Sequence, residues 1–321
     1  MIIIDGNYFA RRFFHLVTAQ KDVDYLDMFR HLFLENIINI KAKYGSKYGD
    51  VVIAKDKSSW RYDLFPDYKC SRKEKNKEEK IIEFYKVYDE LLTLLKNCTN
   101  NKVIVNDRTE ADDILYILST TDGLHLAYSG DKDIKQIVKE NVDFYNFNEK
   151  VIIKMDKDRI EYELLKHILL GDNSDDIPNV VYKSETTKEF DSWILKKYNI
   201  VINLNILYKM VVEDSHLFKE YDEEMKKTPF KNVRFGEKTV EKLIASNSIE
   251  ALINSNKIIK RNFMINKYLI DLSLVPLEIQ NEVLEIYNNY EYKLPNINEL
   301  YKYCDLYNLN KVKDRINILV N

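Results

Sequence analysis

Cysteine is scarce in this chain: Cys70, Cys98 and Cys304 are the only three in 321 residues. The number is odd and no pair has the spacing of a metal knuckle, which excludes a disulfide framework and a structural zinc site. Long apolar runs are also missing. The chain opens Ile2-Ile3-Ile4 and is stopped at once by Asp5, leaving neither a signal-peptide core nor a membrane span. A cytoplasmic protein with no membrane partner is the expectation. Glycine is sparse, at seven residues, beside abundant Lys, Asn, Ile and Tyr, the usage of an A/T-rich genome. A basic excess is absent as well: the net charge is −3, where a nucleic-acid-binding surface usually carries a positive balance.

The distribution of charge alters that last reading. Apolar residues make up 45% and charged residues 31%, the composition of a packed globular protein. About ten acids, however, fall in a few tight groups. If those acids bind cations, the balance of the remaining surface becomes positive. One short stretch is already basic: from Lys69 to Lys77 five cations face Glu74 alone.

The first half alternates short β-rich runs with amphipathic stretches. Ile2 to Ile4, Val51 to Ala54, Val103 to Val105, Leu124 to Tyr128 and Val142 to Tyr145 read as buried strands. Helical patterns lie near 8–20, 25–44, 76–97, 110–119 and 133–139. This alternation predicts an α/β fold, a central and mostly parallel sheet flanked by helices. The expected division is a core over 1–170 and a helical lobe over 171–321, where no strong strand signal remains.

In such sheets ligands bind beyond the carboxyl ends of the strands. Asp5 follows the first strand, Asp56 the second, and Asp131 and Asp133 the fourth, while Glu110, Asp112 and Asp113 open the helix after the third. Gly171-Asp172-Asn173-Ser174-Asp175-Asp176 adds three acids in five positions. Each group alone has an ordinary explanation as an N-cap, a turn or a helix start. Together they do not. Two carboxylates ~4 Å apart repel by roughly 4 kcal/mol at an effective dielectric constant of 20, so a convergent set requires cations. All-oxygen donors favour Mg²⁺, with Mn²⁺ able to substitute, over zinc. Two such ions can activate water and stabilise the attacking and leaving oxygens of an in-line phosphoryl transfer. Phosphodiester hydrolysis is the matching reaction.

Trp60 to Lys73 interleaves cations with aromatic residues, a combination suited to single-stranded nucleic acid. With this stretch in view, the ordered set Ile4-Asp5-Gly6-Asn7, Asp56, Glu110-Ala111-Asp112-Asp113, Ser129-Gly130-Asp131-Lys132-Asp133, Gly171 to Asp175 and Phe235-Gly236-Glu237-Lys238-Thr239 resembles the flap-endonuclease-like 5′ nucleases, most closely their phage ribonucleases H. The resemblance covers roughly residues 1 to 245.

It implies a PIN-like core with a helical arch over about 62–86 and a lobe containing a modified helix-hairpin-helix. By the same resemblance, Asp5, Asp56, Glu110, Asp112, Asp113 and Asp131 look like a first metal cluster, and Asp133, Asp172 and Asp175 like the holders of a second ion. Lys69 and Arg72 look like a basic pair at the scissile phosphate, Tyr68 like a stacking residue for the terminal base, and Lys73 like a further strand contact. Gly236, Lys238 and Thr239 would bind duplex backbone at a helix start. The implied substrates are branched or 5′-tailed DNA and RNA–DNA hybrid, cut by one 5′→3′ exonuclease and flap endonuclease site during replication. The implied partners are a sliding clamp and a single-strand DNA-binding protein.

Other readings fit less well. A non-catalytic branch-binding protein would show gaps in the acid set, and a phosphoaspartyl phosphatase would need Asp-x-Asp where this chain has Asp5-Gly6-Asn7. A PIN-like ribonuclease would lack both the basic insert and the helical lobe.

Overall fold

The computed structural model describes residues 1–19, 24–72, 79–181, 196, 235–255, 257–291 and 294–320. Lys73 and most of the 181–235 insertion lie outside them. A six-stranded sheet has the order β3-β2-β1-β4-β5-β6. Its strands are β1 (Ile2–Asp5), β2 (Val51–Lys55), β3 (Lys102–Val105), β4 (His125–Ser129), β5 (Val142–Asn146) and β6 (Val151–Ile153). The first five run parallel, with Ile3 opposite both Val52 and Ala127, so β1 lies at the centre. β6 alone is antiparallel, against β5. It was not expected. Val151 and Ile152 are exposed on this edge, so the segment carries no buried strand pattern.

The parallel strands require crossover helices. These are α1 (Gly6–Thr18), α2 (Tyr25–Tyr48), α4 (Glu79–Cys98) and α5 (Ala111–Ser119), with the short α3 (Arg61–Leu64) after β2. Every residue of β1 and the first four of β2 are buried, because helices cover both sheet faces. Phe9, Phe29, Phe33, Phe84 and Tyr88 fill one face in mostly edge-on and tilted contacts. Among the described residues no helix is long and apolar enough to cross a membrane.

Among the described residues the remaining helices are α6 (Lys157–Leu170), α7 (Glu237–Ala245), α8 (Ile249–Ser255), α9 (Lys257–Ile270), α10 (Leu277–Asn288), α11 (Ile297–Leu306), α12 (Asn310–Lys313) and α13 (Ile316–Val320). They do not form one lobe. The chain divides into a first unit of residues 1–59, 76–157 and 275–321, and a second of 60–75 and 158–274. This division differs from the single boundary expected near 170. Leu300, Cys304, Leu309, Val312, Ile316 and Leu319 share one apolar core with Ile2, Phe33 and Leu95, and that burial draws the C-terminal helices onto the sheet. Two polar contacts reinforce it. Asn101 Nδ2 donates to the Leu319 carbonyl at 3.0 Å, and the Val103 amide of edge strand β3 donates to Tyr290 Oη at 3.1 Å. The second satisfies a backbone group that an edge strand otherwise leaves open.

The expected arch is divided in the same way. Residues 60–75 cluster with the second unit and α4 with the first. In the second unit Leu169, Val180 and Val240 form a small core with Leu165, Phe235, Ile244 and Phe263 around it. Val180, which follows the Gly171 to Asp176 loop, and Val240, which follows the Phe235 to Thr239 motif, thus share one apolar cluster. Asn266 joins the Ile168 and Pro178 carbonyls, at 3.0 and 2.7 Å.

Candidate active site

In the first unit the acids gather where the parallel strands end. Asp5 terminates β1 and caps α1: its Oδ1 accepts the Tyr8 amide at 3.0 Å. Its Oδ2 accepts the Ser129 hydroxyl at 2.7 Å. Asp56, just after β2, accepts the Ala111 amide at 2.6 Å, while its own amide donates to Asn7 Oδ1 at 3.1 Å. Asp131 follows β4; its amide donates to Ser129 Oγ at 3.1 Å and its Oδ1 accepts the Asp133 amide at 2.9 Å.

The electrostatics show that these carboxylates share one environment. Burial pushes the Asp5 carboxyl up to about 7, aided by the charges of Asp56 and then Asp131, against the lowering effect of its bonds from Tyr8 and Ser129. Burial, followed by Asp56 and Asp5, also holds the Tyr88 phenol well above its ordinary value, so it stays protonated. A buried carboxyl that can ionise only against two neighbouring charges is a place for a cation. The donors are all carboxylate oxygen, which fits a hard divalent ion.

The other predicted acids of this unit take distinct positions. Glu110 caps α5 and accepts the Ser59 hydroxyl at 3.0 Å. Asp113 is fully buried, and its Oδ2 accepts the Glu110 amide at 3.1 Å, so one of its oxygens serves the helix start. Asp112 and Asp133 are half-buried in the first turns after Glu110 and Asp131.

Sequence reasoning missed the groups that hold these acids. Ser129 links Asp5 to Asp131, and Asn7 supports Asp56; both lie inside motifs already singled out, where attention to side-chain oxygens would have found them. Tyr88 could not be found that way, since it comes from α4. Gly6 has a steric reason to be glycine. A Cβ there would lie 2.6 Å from the Ala54 carbonyl oxygen and 2.8 Å from Ile53 Cγ2, and would also strike the Tyr88 hydroxyl. We expect Gly6→Ala to lower stability by about 1–3 kcal/mol and to reduce cleavage by displacing Asp5, measured by thermal unfolding and turnover of one preparation.

In the second unit the basic segment packs on the loop after α6. Lys69 Nζ lies 3.5 Å from Asp175 Oδ2, Arg72 pairs with Asp175 Oδ1, and the Tyr68 hydroxyl donates to Asp175 Oδ2 at 3.3 Å. Asp175, expected at an ion, is engaged by all three residues. Tyr68, expected to stack on the terminal base, is buried: it is 3% exposed, its ring packing on Tyr62 at 5.7 Å. The reason is its phenol, which turns inward to Asp175.

Asp172 accepts from the Ser174 amide at 2.7 Å and lies 3.1 Å from His167 Nε2. Burial alone would raise its carboxyl, but the bonds from His167 and Ser174 outweigh it and hold Asp172 well below the usual range. Gly171 permits this loop: φ is +70°, and a Cβ would strike the Ile177 and Pro178 carbonyls. Gly236 caps α7, and Gly236, Lys238 and Thr239 are exposed at that helix start.

Comparison with known proteins places this arrangement. Residues 1–164 match the family model of the 5′-3′ exonuclease N-terminal resolvase-like domain. The chain is 24% identical over 317 residues to a 5′-3′ exonuclease of Buchnera aphidicola, covering 94% of this chain and 96% of the relative. It is 25% identical over 308 residues to the ribonuclease H of Enterobacteria phage T4, covering 91% and 87%. A solved structure of T5 5′-exonuclease with divalent metal ions bound has the same fold, with a TM-score of 0.52 at 18% identity over 91% of this chain and 99% of that one.

Proposed function

Since this chain belongs to the 5′-3′ exonuclease family and is a nuclease, we propose that it is a divalent-metal-dependent enzyme that removes RNA primers and 5′ flaps from DNA during replication. The observation that carries this reading is the mutual charge burden of Asp5, Asp56 and Asp131 at the carboxyl edge of the sheet. Magnesium is the preferred ion, since every donor is a carboxylate oxygen.

Asp5, Asp56 and Asp131, with Glu110 and Asp112 on the neighbouring helix start, hold the ions. Bound there, divalent ions supply Lewis-acid stabilisation to the phosphodiester undergoing hydrolysis. The protein's own part is orientation. Ser129 and the Tyr8 amide fix both oxygens of Asp5, and the Ala111 amide fixes one of Asp56. Lys69 and Arg72 set positive charge against the phosphate as negative charge develops. Gly236, Lys238 and Thr239 grip duplex backbone at the start of α7. At a replication fork, a sliding clamp and a single-strand DNA-binding protein are the partners this role names.

The test is cleavage of 5′-labelled flap DNA and of an RNA-primed duplex in EDTA, Mg²⁺ or Ca²⁺. Release of short 5′ products in Mg²⁺ alone is expected. Branch binding without cleavage in any ion would replace this reading with a non-catalytic one. Lys69→Ala is expected to lower kcat by about 100-fold with a smaller change in KM, because the contact strengthens in the transition state.

A further inference from the structure

Residues 66–71 form turns held by their own backbone bonds, Cys70 to Asp67 at 3.1 Å and Arg72 to Lys69 at 3.2 Å, and Arg72 is helical. The loop after α6 holds both Lys69 and Arg72. The Lys69 amide donates to the Asp175 carbonyl at 2.9 Å, and Arg72 Nε donates to the Ser174 carbonyl at 3.1 Å. Asp176 supplies a further link. Its Oδ2 accepts the Ser71 amide at 2.9 Å and lies 3.6 Å from the Cys70 sulfur, whose thiol donates to it.

Two residues at this junction are left-handed without being glycine, Lys69 at φ +51° and Asp176 at φ +59°. Such a conformation persists only where the surroundings impose it. Asp and Asn are the side chains that best tolerate it. Position 176 therefore makes two demands at once: a left-handed backbone and a side-chain oxygen reaching Ser71.

We infer that Asp176 is a positioning residue for the nuclease reaction: by accepting the Ser71 amide it fixes the turn that carries Lys69 and Arg72, and so sets the orientation of the basic pair. Its carboxylate acts through the segment and touches neither substrate nor ion. This rests on the reading that Lys69 and Arg72 stabilise the phosphodiester's developing charge.

Three substitutions separate the demands. Asn keeps the left-handed tolerance and the acceptor oxygen, Gly keeps only the backbone freedom, and Ala keeps neither. Each is made in the full chain and compared with wild type, Lys69→Ala and the double variant Lys69→Ala/Asp176→Gly on 5′ flap DNA in Mg²⁺. Asp176→Asn is expected within about twofold of wild type, whereas Asp176→Gly loses kcat by about tenfold or more, as a displaced catalytic group does. KM, the thermal midpoint and Mg²⁺ affinity by calorimetry stay near wild type in Asp176→Gly. The double variant loses less than the product of the two single losses, because Lys69 is no longer there to be positioned and only Arg72 remains.

Wild-type kcat in Asp176→Gly would overturn the inference, and so would an equal loss in Asp176→Asn, which would assign the effect to charge. Reduced Mg²⁺ affinity in Asp176→Gly would also overturn it, by moving Asp176 to the ions. If Asp176→Ala fails to fold, the Asn and Gly pair decides. Undiminished kcat in Lys69→Ala would remove the reading of the basic pair itself, an outcome distinct from failure at Asp176 alone.

Discussion

Asp131→Asn is expected to abolish cleavage, by at least about 100-fold, while making the metal-free protein more stable at neutral pH. The two effects have one origin. Asp131 adds to the charge that raises Asp5, after burial and Asp56. Removing that charge weakens cation binding and also relieves repulsion in the empty cluster. Local structure survives, since the amide oxygen of Asn can still accept the Asp133 amide as Asp131 Oδ1 does. Branched-DNA binding is expected to be largely retained, because the substitution removes little of the phosphate-contacting surface. The check is flap cleavage, DNA binding and chemical denaturation in EDTA on one preparation. Retained cleavage would remove Asp131 from the site. Lost activity with lowered metal-free stability would make Asp131 a structural residue instead.

The second large effect is on stability against pH. Asp5 titrates at about 7 in the folded protein, through burial first and then the charges of Asp56 and Asp131, against an ordinary value of 3.8. The folded state therefore holds this proton more tightly than the unfolded chain. The contribution is fully present below the unfolded value and is lost as pH rises through about 7. The gap corresponds to at most about 4 kcal/mol. In EDTA, unfolding free energy is expected to fall between pH 5 and pH 8 on this account. Mg²⁺ should reverse the loss, with a larger stabilisation at pH 8 than at pH 5, since cation and proton compete for the same oxygens.

His125 acts in the opposite direction. Its imidazole is held below the ordinary value by burial, so its contribution is lost as pH falls below the unfolded value near 6.5. Asp5→Asn distinguishes the two, because it should remove the fall in stability between about pH 5 and pH 7 and leave the His125 contribution, of opposite slope, in place. An unaltered slope between about pH 5 and pH 7 in that variant would show that Asp5 is not the group responsible.

The sequence by itself determined the strand ends and the chemistry placed on them. β1 to β5 were legible because short, nearly continuous apolar runs are what a sheet covered on both faces requires. Asp5, Asp56 and Asp131 were legible because each directly follows such a run. Glu110 was legible as a helix start, an assignment that depends on neighbours in the chain and not on distant contacts.

Tertiary structure decided what no local pattern encodes. The helices from 275 onward join the sheet because Leu300, Val312 and Leu319 bury against Ile2 and Phe33, whereas their own sequence shows only amphipathic helix. Tyr68 reads as an exposed aromatic in a basic stretch, yet its hydroxyl finds Asp175, more than a hundred residues away, and the ring follows it inward. Val180 and Val240, far apart in sequence, share one apolar cluster. Residues 236–239 signal a helix start, but not the apolar partner on which that helix rests. In each case the deciding term is burial or hydrogen bonding between residues remote in sequence, and its sign depends on which surfaces the completed fold leaves open.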